Sequence, residues 1–337
     1  MSNTIPQKYP TDIVIPTTHS TQLTWIEIDK EAFNHNVQQY KRRVQPALFA
    51  IVVKSNAYGH GMHQIASLAE ANPHVDYLCT VSLSEAVALR EHSIQKPIIV
   101  LSILDSALEQ AFMHDIELVL FDMQQALLLQ SLGKKQQKKI SVHIKVDTGL
   151  SRLGILHTAA HAFIKEVAQL SHIHIKGIFT HFAQSEKKNQ TFTNLQIQRL
   201  ETVIDSLRKD GIEIPLRHSS CSAAITANTK SHFTLARAGI GIYGLWPSLE
   251  NQATTQETDS LFSLKPVLTW KTKIIQIKEI PTRSSIGYDR TFITKKISRI
   301  ATLPVGYWDG YDRKLSNKGY VYINDHRAPI AGRIAMN

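Results

Sequence analysis

The sequence predicts an α/β protein: an N-terminal (β/α)8 barrel of the TIM type followed by an all-β domain. Three observations carry this. From about residue 47 to 241, short apolar, β-branched runs alternate with longer segments of helical period. The strand-like runs in that stretch number eight, which is the count of a closed barrel. After Gly244, helix signals fade and strand-like runs follow one another. An open doubly wound sheet is the competing reading, but no GxGxxG turn follows the first strand.

Each element has its own justification. The barrel strands are Ala47–Val53, Tyr77–Val81, Ile98–Ser102, Leu118–Phe121, Ser141–Val146, Ile175–Thr180, Pro215–His218 and Thr234–Ala236. HQIASLAEA after the first strand has helical spacing, as does SEAVALREH after the second, where Ser84 is the expected N-cap. NLQIQRLETVIDSLRKDG precedes the seventh strand, with Gly211 as its stop signal. Beyond Trp246-Pro247, the polar run SLENQATTQETDS reads as a linker or long loop. VLTWKTKIIQI, RIATLP and YVYIN then read as strands of the second domain. The early run Leu23–Ile28 is also strand-like and is a candidate to pair with that domain. The expected division is a loose, disordered lead-in at 1–22, the barrel at 23–246 and the β domain at 247–337.

The chain has 337 residues, 43% hydrophobic and 20% charged, enough for a large core and two domains. No apolar run reaches the roughly 18 residues of a membrane span. The first twenty residues hold three prolines and no continuous apolar segment, which argues against a secretory signal. Cys79 and Cys221 lack metal-ligand spacing and read as free thiols of a cytoplasmic protein, so no metal is expected. The formal charge of +10 invites a nucleic-acid reading. Its lysine pairs, however, fall in scattered polar connectors with no aromatic-interleaved stripe, as solvated loops do.

In such a barrel the active site lies at the carboxyl ends of the strands. Strand one ends at Lys54. Strand five ends in KVDTGLSRLG, with Lys145, Asp147 and Arg152. Strand six ends at His181, strand seven at His218 and Ser222, and strand eight at Arg237 and a glycine-rich tail. The small residues Ser222-Ala223-Ala224 and Gly239-Ile240-Gly241 follow strands seven and eight, where this fold commonly holds phosphate. A lysine facing a phosphate cradle suggests a Schiff base with pyridoxal phosphate. At this point an aldolase with a Schiff-base lysine and a phosphorylated substrate is an equal rival.

The segments VVKSNAYGHG, KVDTGLSRLG, THFA, LARAGIGIYG, SIGYDRTF, LPVGYWDGY and AGRIAMN, in this order along nearly the whole chain, resemble the alanine racemases, fold-type III enzymes of pyridoxal phosphate. The resemblance implies a barrel and a β domain, a head-to-tail homodimer with shared active sites, and D-alanine supply for peptidoglycan. It implies Lys54 as cofactor anchor and one catalytic base, with Tyr288 of the partner subunit as the other. Two bases on opposite faces suit a reaction that removes a Cα proton from one side and returns it to the other.

By the same carry-over, His181 and Arg237 form the hydrogen-bond chain behind the tyrosine, supplying the cationic neighbours a tyrosine base needs. Arg237 also faces the cofactor's ring nitrogen. Arg152 lies near the phenolic oxygen and the substrate carboxylate, and Lys145, often carbamylated in the family, positions it. Tyr58, Ser222, Gly239 and Ile240 match phosphate contacts, and Met336 matches a backbone contact to the substrate carboxylate.

Two positions depart from the family pattern: Cys221 stands where asparagine is common, and Asn337 where aspartate is commoner. The family also continues past AGRIAMN to a phosphate-binding tyrosine that has no counterpart here, so a partial or impaired chain is one expectation. The readings that remain are an alanine racemase, a racemase of broader specificity, and a truncated cofactor-binding chain without activity.

Overall fold

The computed structural model describes residues 22–337. The expected loose lead-in therefore lies almost wholly outside the described residues. The described residues divide into two compact units, one of residues 28–269 and one of residues 22–27 together with 270–337.

The larger unit is the barrel. Its strands are Leu48–Val52, Tyr77–Ser82, Ile98–Ile103, Leu118–Leu120, Ile140–Asp147, Ile173–Phe179, Leu216–His218 and Leu235–Ala238. The eighth pairs in parallel with the first, with Arg237 opposite Ala50. Parallel ladders link the first strand to the second and third, and the fourth to the fifth, sixth and seventh. Two seams close the ring. Between strands three and four, Val100 N donates to Glu117 O at 2.9 Å. Between strands seven and eight, Thr234 N donates to Arg217 O at 3.1 Å.

Strand alternation sorts the side chains. Phe49, Ile51 and Val53 are fully buried in the layer between strands and helices. Each such side chain contributes about 1.5–3 kcal/mol by leaving water. Ala50 and Val52 point the other way, into the barrel, with Tyr77, Cys79, Ile99, Leu216 and Leu235. On the same alternation, His143, Lys145, His218 and Arg237 are interior positions.

Several helix assignments need correction. The helix after strand two spans Leu83–Glu91, and its N-cap is Ser82, whose Oγ accepts from Glu85 N at 3.3 Å. Ser84 lies inside the helix and instead binds Asp105. The run SLENQATTQETDS is an α-helix over Leu249–Thr258, not a linker. Ser248 Oγ caps it by accepting from Asn251 N at 3.1 Å. Its inward residues are polar: Asn251 and Thr255 are buried, and Asn251 Nδ2 donates to Thr226 Oγ1 at 3.1 Å. The buried donor of Asn251 stands in for the apolar stripe that marks a helix in sequence, while Asn251 Oδ1 and Thr255 Oγ1 are buried without a partner among the described residues.

The smaller unit is built of short antiparallel pairs. Gln276–Ile280 pairs with Ser298–Thr302, Ser285–Ile286 with Phe292–Ile293, and Tyr320–Ile323 with His326–Pro329. The early strand Thr24–Ile28 pairs with Leu268–Thr272. VLTWKTKIIQI is thus two strands rather than one, with a break at 273–275 between them.

Candidate active site

Lys54 follows the first strand directly, and the chain then makes an unusual turn. Ser55, Asn56, Ala57 and Tyr58 all have φ between 53° and 55°, a full turn of left-handed backbone without glycine. Each such residue costs roughly 1–2 kcal/mol in conformational strain. The turn is held from both sides. Ser55 N donates to Glu85 Oε1 at 2.6 Å, and Asn56 Oδ1 accepts from Met62 N at 2.8 Å. Gly59 and Gly61 follow with φ of 86° and 93°, returning the chain to the next helix. The effect is to set Lys54 at the strand end while aiming Tyr58 back across the barrel mouth.

Opposite lies a cradle of small residues. Ser222 Oγ accepts from Gly239 N at 2.9 Å and from Gly241 N at 3.2 Å. A Cβ on Gly239 would sit 2.5 Å from Tyr58 Oη, so only glycine lets the tyrosine approach that backbone. Tyr58 packs on Tyr243 with ring centroids 4.9 Å apart, and burial pushes its phenol up to about 12. Tyr40 Oη is buried near Gly241 without a hydrogen-bond partner. Unpartnered hydroxyls beside clustered N–H groups can receive an anion. Ile240 begins the short 3-10 turn that carries Gly241 into place.

The remaining barrel residues converge by charge. Burial first, then Arg152 and Arg237, hold the Lys54 ammonium below its ordinary range. Burial and the neighbouring Arg152, Arg237 and Lys54 bring Lys145 down to about 8. Lys145 Nζ donates to Leu101 O at 3.1 Å and lies 5.3 Å from the Phe179 ring centroid. It forms no ion pair with Asp147. That carboxylate instead accepts three backbone N–H groups, of Gly149, Leu150 and Ser151, and folds the loop that carries the exposed Arg152.

His181 faces the same cations, and burial with Arg237, Arg152 and Lys145 pushes its imidazole down to about 3. It is therefore neutral near pH 7, not one of the cationic neighbours expected for a tyrosine base. Nor does a hydrogen bond join it to Arg237. The Arg237 guanidinium, 3% exposed, turns instead to His218 Nδ1 at 2.5 Å and donates to the carbonyls of Thr180 and Ser219.

The structure brings Lys54, Tyr58, Lys145, Arg152, His181, Ser222, Arg237, Gly239 and Ile240 to the barrel's carboxyl rim. Tyr288 and Met336 lie in the other unit. Tyr288 opens a tight turn after Gly287 and is 68% exposed. Asp289 beside it pairs with Arg333 at 2.6 Å. Met336 O accepts from Trp308 N at 2.9 Å. A Cβ on Gly306 would lie 2.3 Å from Ala335 O, so the Gly306 turn packs directly on the 331–337 segment.

Sequence reasoning missed Glu117, His143 and Lys176, which continue inward from Arg237. The available signal was a charged or imidazole residue inside or next to a buried strand, at Glu117-Leu118 and in SVHIKV and IHIKGIF.

The alanine racemase N-terminal domain family matches residues 28–247, and the alanine racemase C-terminal domain family residues 267–337. An alanine racemase of Halothermothrix orenii is 41% identical over 320 residues, covering 94% of this chain and 82% of that protein. Among solved structures, the alanine racemase of Clostridium difficile 630 superposes with a TM-score of 0.87 at 30% identity, covering 95% of this chain and 82% of that one. The alanine racemase of Bartonella henselae, with covalently bound pyridoxal phosphate, superposes with a TM-score of 0.79 at 29% identity over 94% of this chain and 84% of that one. With both domains matched in order and the barrel-mouth residues in place, the chain belongs to the alanine racemase family.

Proposed function

We infer that the protein is an alanine racemase that interconverts L- and D-alanine with pyridoxal phosphate. The observation that carries this reading is the depressed amine of Lys54 among Arg152, Arg237 and Lys145, opposite a glycine and hydroxyl cradle. The residues fit the cofactor. Its phosphate suits the Ser222, Gly239, Ile240 and Tyr58 cradle, where a Cβ at Gly239 would leave no room. Bound pyridoxal phosphate supplies an electron sink that makes the alanine Cα proton acidic.

The chain's own residues do the rest. Lys54 anchors the cofactor, and burial with Arg152 and Arg237 makes its amine easier to deprotonate than an ordinary lysine's, as a base that accepts and returns a proton needs. Tyr288 of a second copy takes the opposite face of Cα. Arg152 attracts the substrate carboxylate, and Met336 contributes backbone to the same group. Lys145, held at about 8, is a candidate for carbamylation, and the carbamate, an anion, would be the form that keeps Arg152 in place. Neutral His181 accepts or relays a hydrogen bond behind Tyr288. Arg237 cannot readily release its proton, so a cofactor ring nitrogen held against it would stay unprotonated, which would disfavour side reactions such as transamination. A head-to-tail homodimer, a cytoplasmic location and D-alanine supply for peptidoglycan complete the proposal.

Borohydride reduction of the loaded protein tests the anchor: we expect the cofactor fixed to Lys54 in the tryptic peptide map. Label on another lysine, or no label, sinks the assignment. A D/L-alanine interconversion assay with serine alongside separates alanine racemisation from a broader specificity.

A further inference from the structure

A buried guanidinium normally pairs with a carboxylate. Arg237 has no carboxylate within ion-pairing distance among the described residues. Its polar contacts are two carbonyls and an imidazole. That imidazole begins a line of hydrogen bonds across the barrel interior. His218 Nε2 lies 2.9 Å from His143 Nδ1. His143 Nε2 lies 2.7 Å from Glu117 Oε2. Glu117 Oε1 accepts from Lys176 Nζ at 2.5 Å.

The hydrogens in this line have one consistent assignment. Arginine can only donate and an ionised carboxylate can only accept. His218 Nδ1 must therefore be the acceptor for Arg237, which puts its hydrogen on Nε2. That hydrogen goes to His143 Nδ1, and the His143 hydrogen on Nε2 goes to Glu117. A proton added to either ring would set two donors face to face. Burial keeps both imidazoles below their ordinary range, His218 well below it, in agreement with two neutral rings.

The packing is cut to this geometry. The Phe179 ring stacks on His218 at 4.8 Å and an interplanar angle of 4°. A Cβ on Gly177 would stand 2.0 Å from His143 Nδ1, so the sixth strand has glycine where the fifth carries the ring.

We propose that Glu117, fixed by Lys176, is a positioning residue: through the ordered rings of His143 and His218 it is the remote counter-anion that holds and orients Arg237. The racemase reading assigns Arg237 to the cofactor's ring nitrogen, and this proposal deepens that reading and rests on it for the effect on turnover. Because both ends of the line are ionic, loss of the Glu117 charge is felt at Arg237, although no atom of Glu117 reaches the mouth.

The test uses the full chain loaded with pyridoxal phosphate and labelled with 15N at histidine. Nitrogen NMR at pH 7 should give neutral Nε2–H rings for His143 and His218. In Glu117→Gln the amide oxygen still accepts from His143 Nε2, so Arg237 keeps both tautomers fixed, but loss of the anion should weaken the line and shift the Nε2–H resonances of both rings. The kcat for alanine should fall about tenfold with KM within about twofold, the pattern of a lost interaction at the reacting centre. Lys176→Met keeps the carboxylate and should keep both ring states.

An Nδ1–H or doubly protonated His218 in the unaltered protein overturns the proposal. So do unmoved Nε2–H resonances together with unchanged kcat in Glu117→Gln. If that variant does not fold, Glu117→Gln/Lys176→Met removes both charges together and is read the same way. The ring states are measured whether or not alanine is racemised, so failure of the racemase reading shows separately.

Discussion

Lys54 and Lys145 are both lysines that buried strands deliver to the barrel mouth, and both are surrounded by positive charge. For Lys145 the consequence is a side chain about half-charged near pH 8. Its reaction with an amine-acylating reagent should climb as pH passes through about 8, whereas exposed lysines climb near 10.4. Mass spectrometry of Lys145 peptides against those of Lys134 and Lys135 checks this. In carbon-dioxide-free buffer, which keeps the amine uncarbamylated, a Lys145 that stays unreactive until pH 10 would contradict the depressed amine. The sign carries over to stability. The unfolded chain binds the proton more tightly, so this group's contribution to stability rises with pH between about 8 and 10.5.

At the same scale, Gly177→Ala should cost about 1–3 kcal/mol, as overpacking beside a buried ring does, read as a lowered midpoint in urea. The mouth residues were legible in sequence because strand ends announce them: a polar residue after an apolar run has few other reasons to be there. Glu117, His143 and Lys176 were not. They sit at or before the middle of their strands, and only the side-by-side pairing of strands four to seven in one sheet brings them together.

At the scale of elements, the left-handed turn over Ser55–Tyr58 and the helix Leu249–Thr258 make opposite points. The turn is stabilised by partners distant in sequence, notably Glu85 and Met62, so no local propensity predicts it. Asn56→Ala removes both the Oδ1 acceptor for Met62 N and a residue type that tolerates φ near 53°. We expect a loss of about 1–2 kcal/mol together with weakened cofactor retention, because Lys54 and Tyr58 flank the turn. Equilibrium denaturation and dialysis against buffer measure the two effects. The helix, by contrast, carried a readable cap in Ser248 and Asn251, which was outweighed by the lack of an apolar stripe. Ser248→Ala should cost about 1 kcal/mol, and Asn251→Leu more, since Thr226 Oγ1 and the Ala223 carbonyl lose a buried donor.

At the scale of the whole molecule, the proposed mechanism divides its two bases between the two units of the chain, Lys54 in the barrel and Tyr288 in the β unit. Strand patterns make both units readable. They carry no information about which copy's Tyr288 serves which copy's Lys54, because that pairing is set by surfaces that only assembly brings together. Tyr288, 68% exposed in the single chain, is accessible to a site on another copy. If the head-to-tail dimer is right, complementation follows from symmetry. Lys54→Ala and Tyr288→Phe homodimers should each be inactive in racemisation. When the two proteins are mixed, dissociated and reassociated, half of the dimers are mixed. In each mixed dimer one site carries both substitutions and the other carries neither. Activity should therefore return to about a quarter of the unaltered protein's. A chain that pairs its own Lys54 with its own Tyr288 gives no recovery at any ratio, since every site then keeps one substitution. Recovery near a quarter, lost again when the mixture is kept undissociated, would assign Tyr288 to the partner's site.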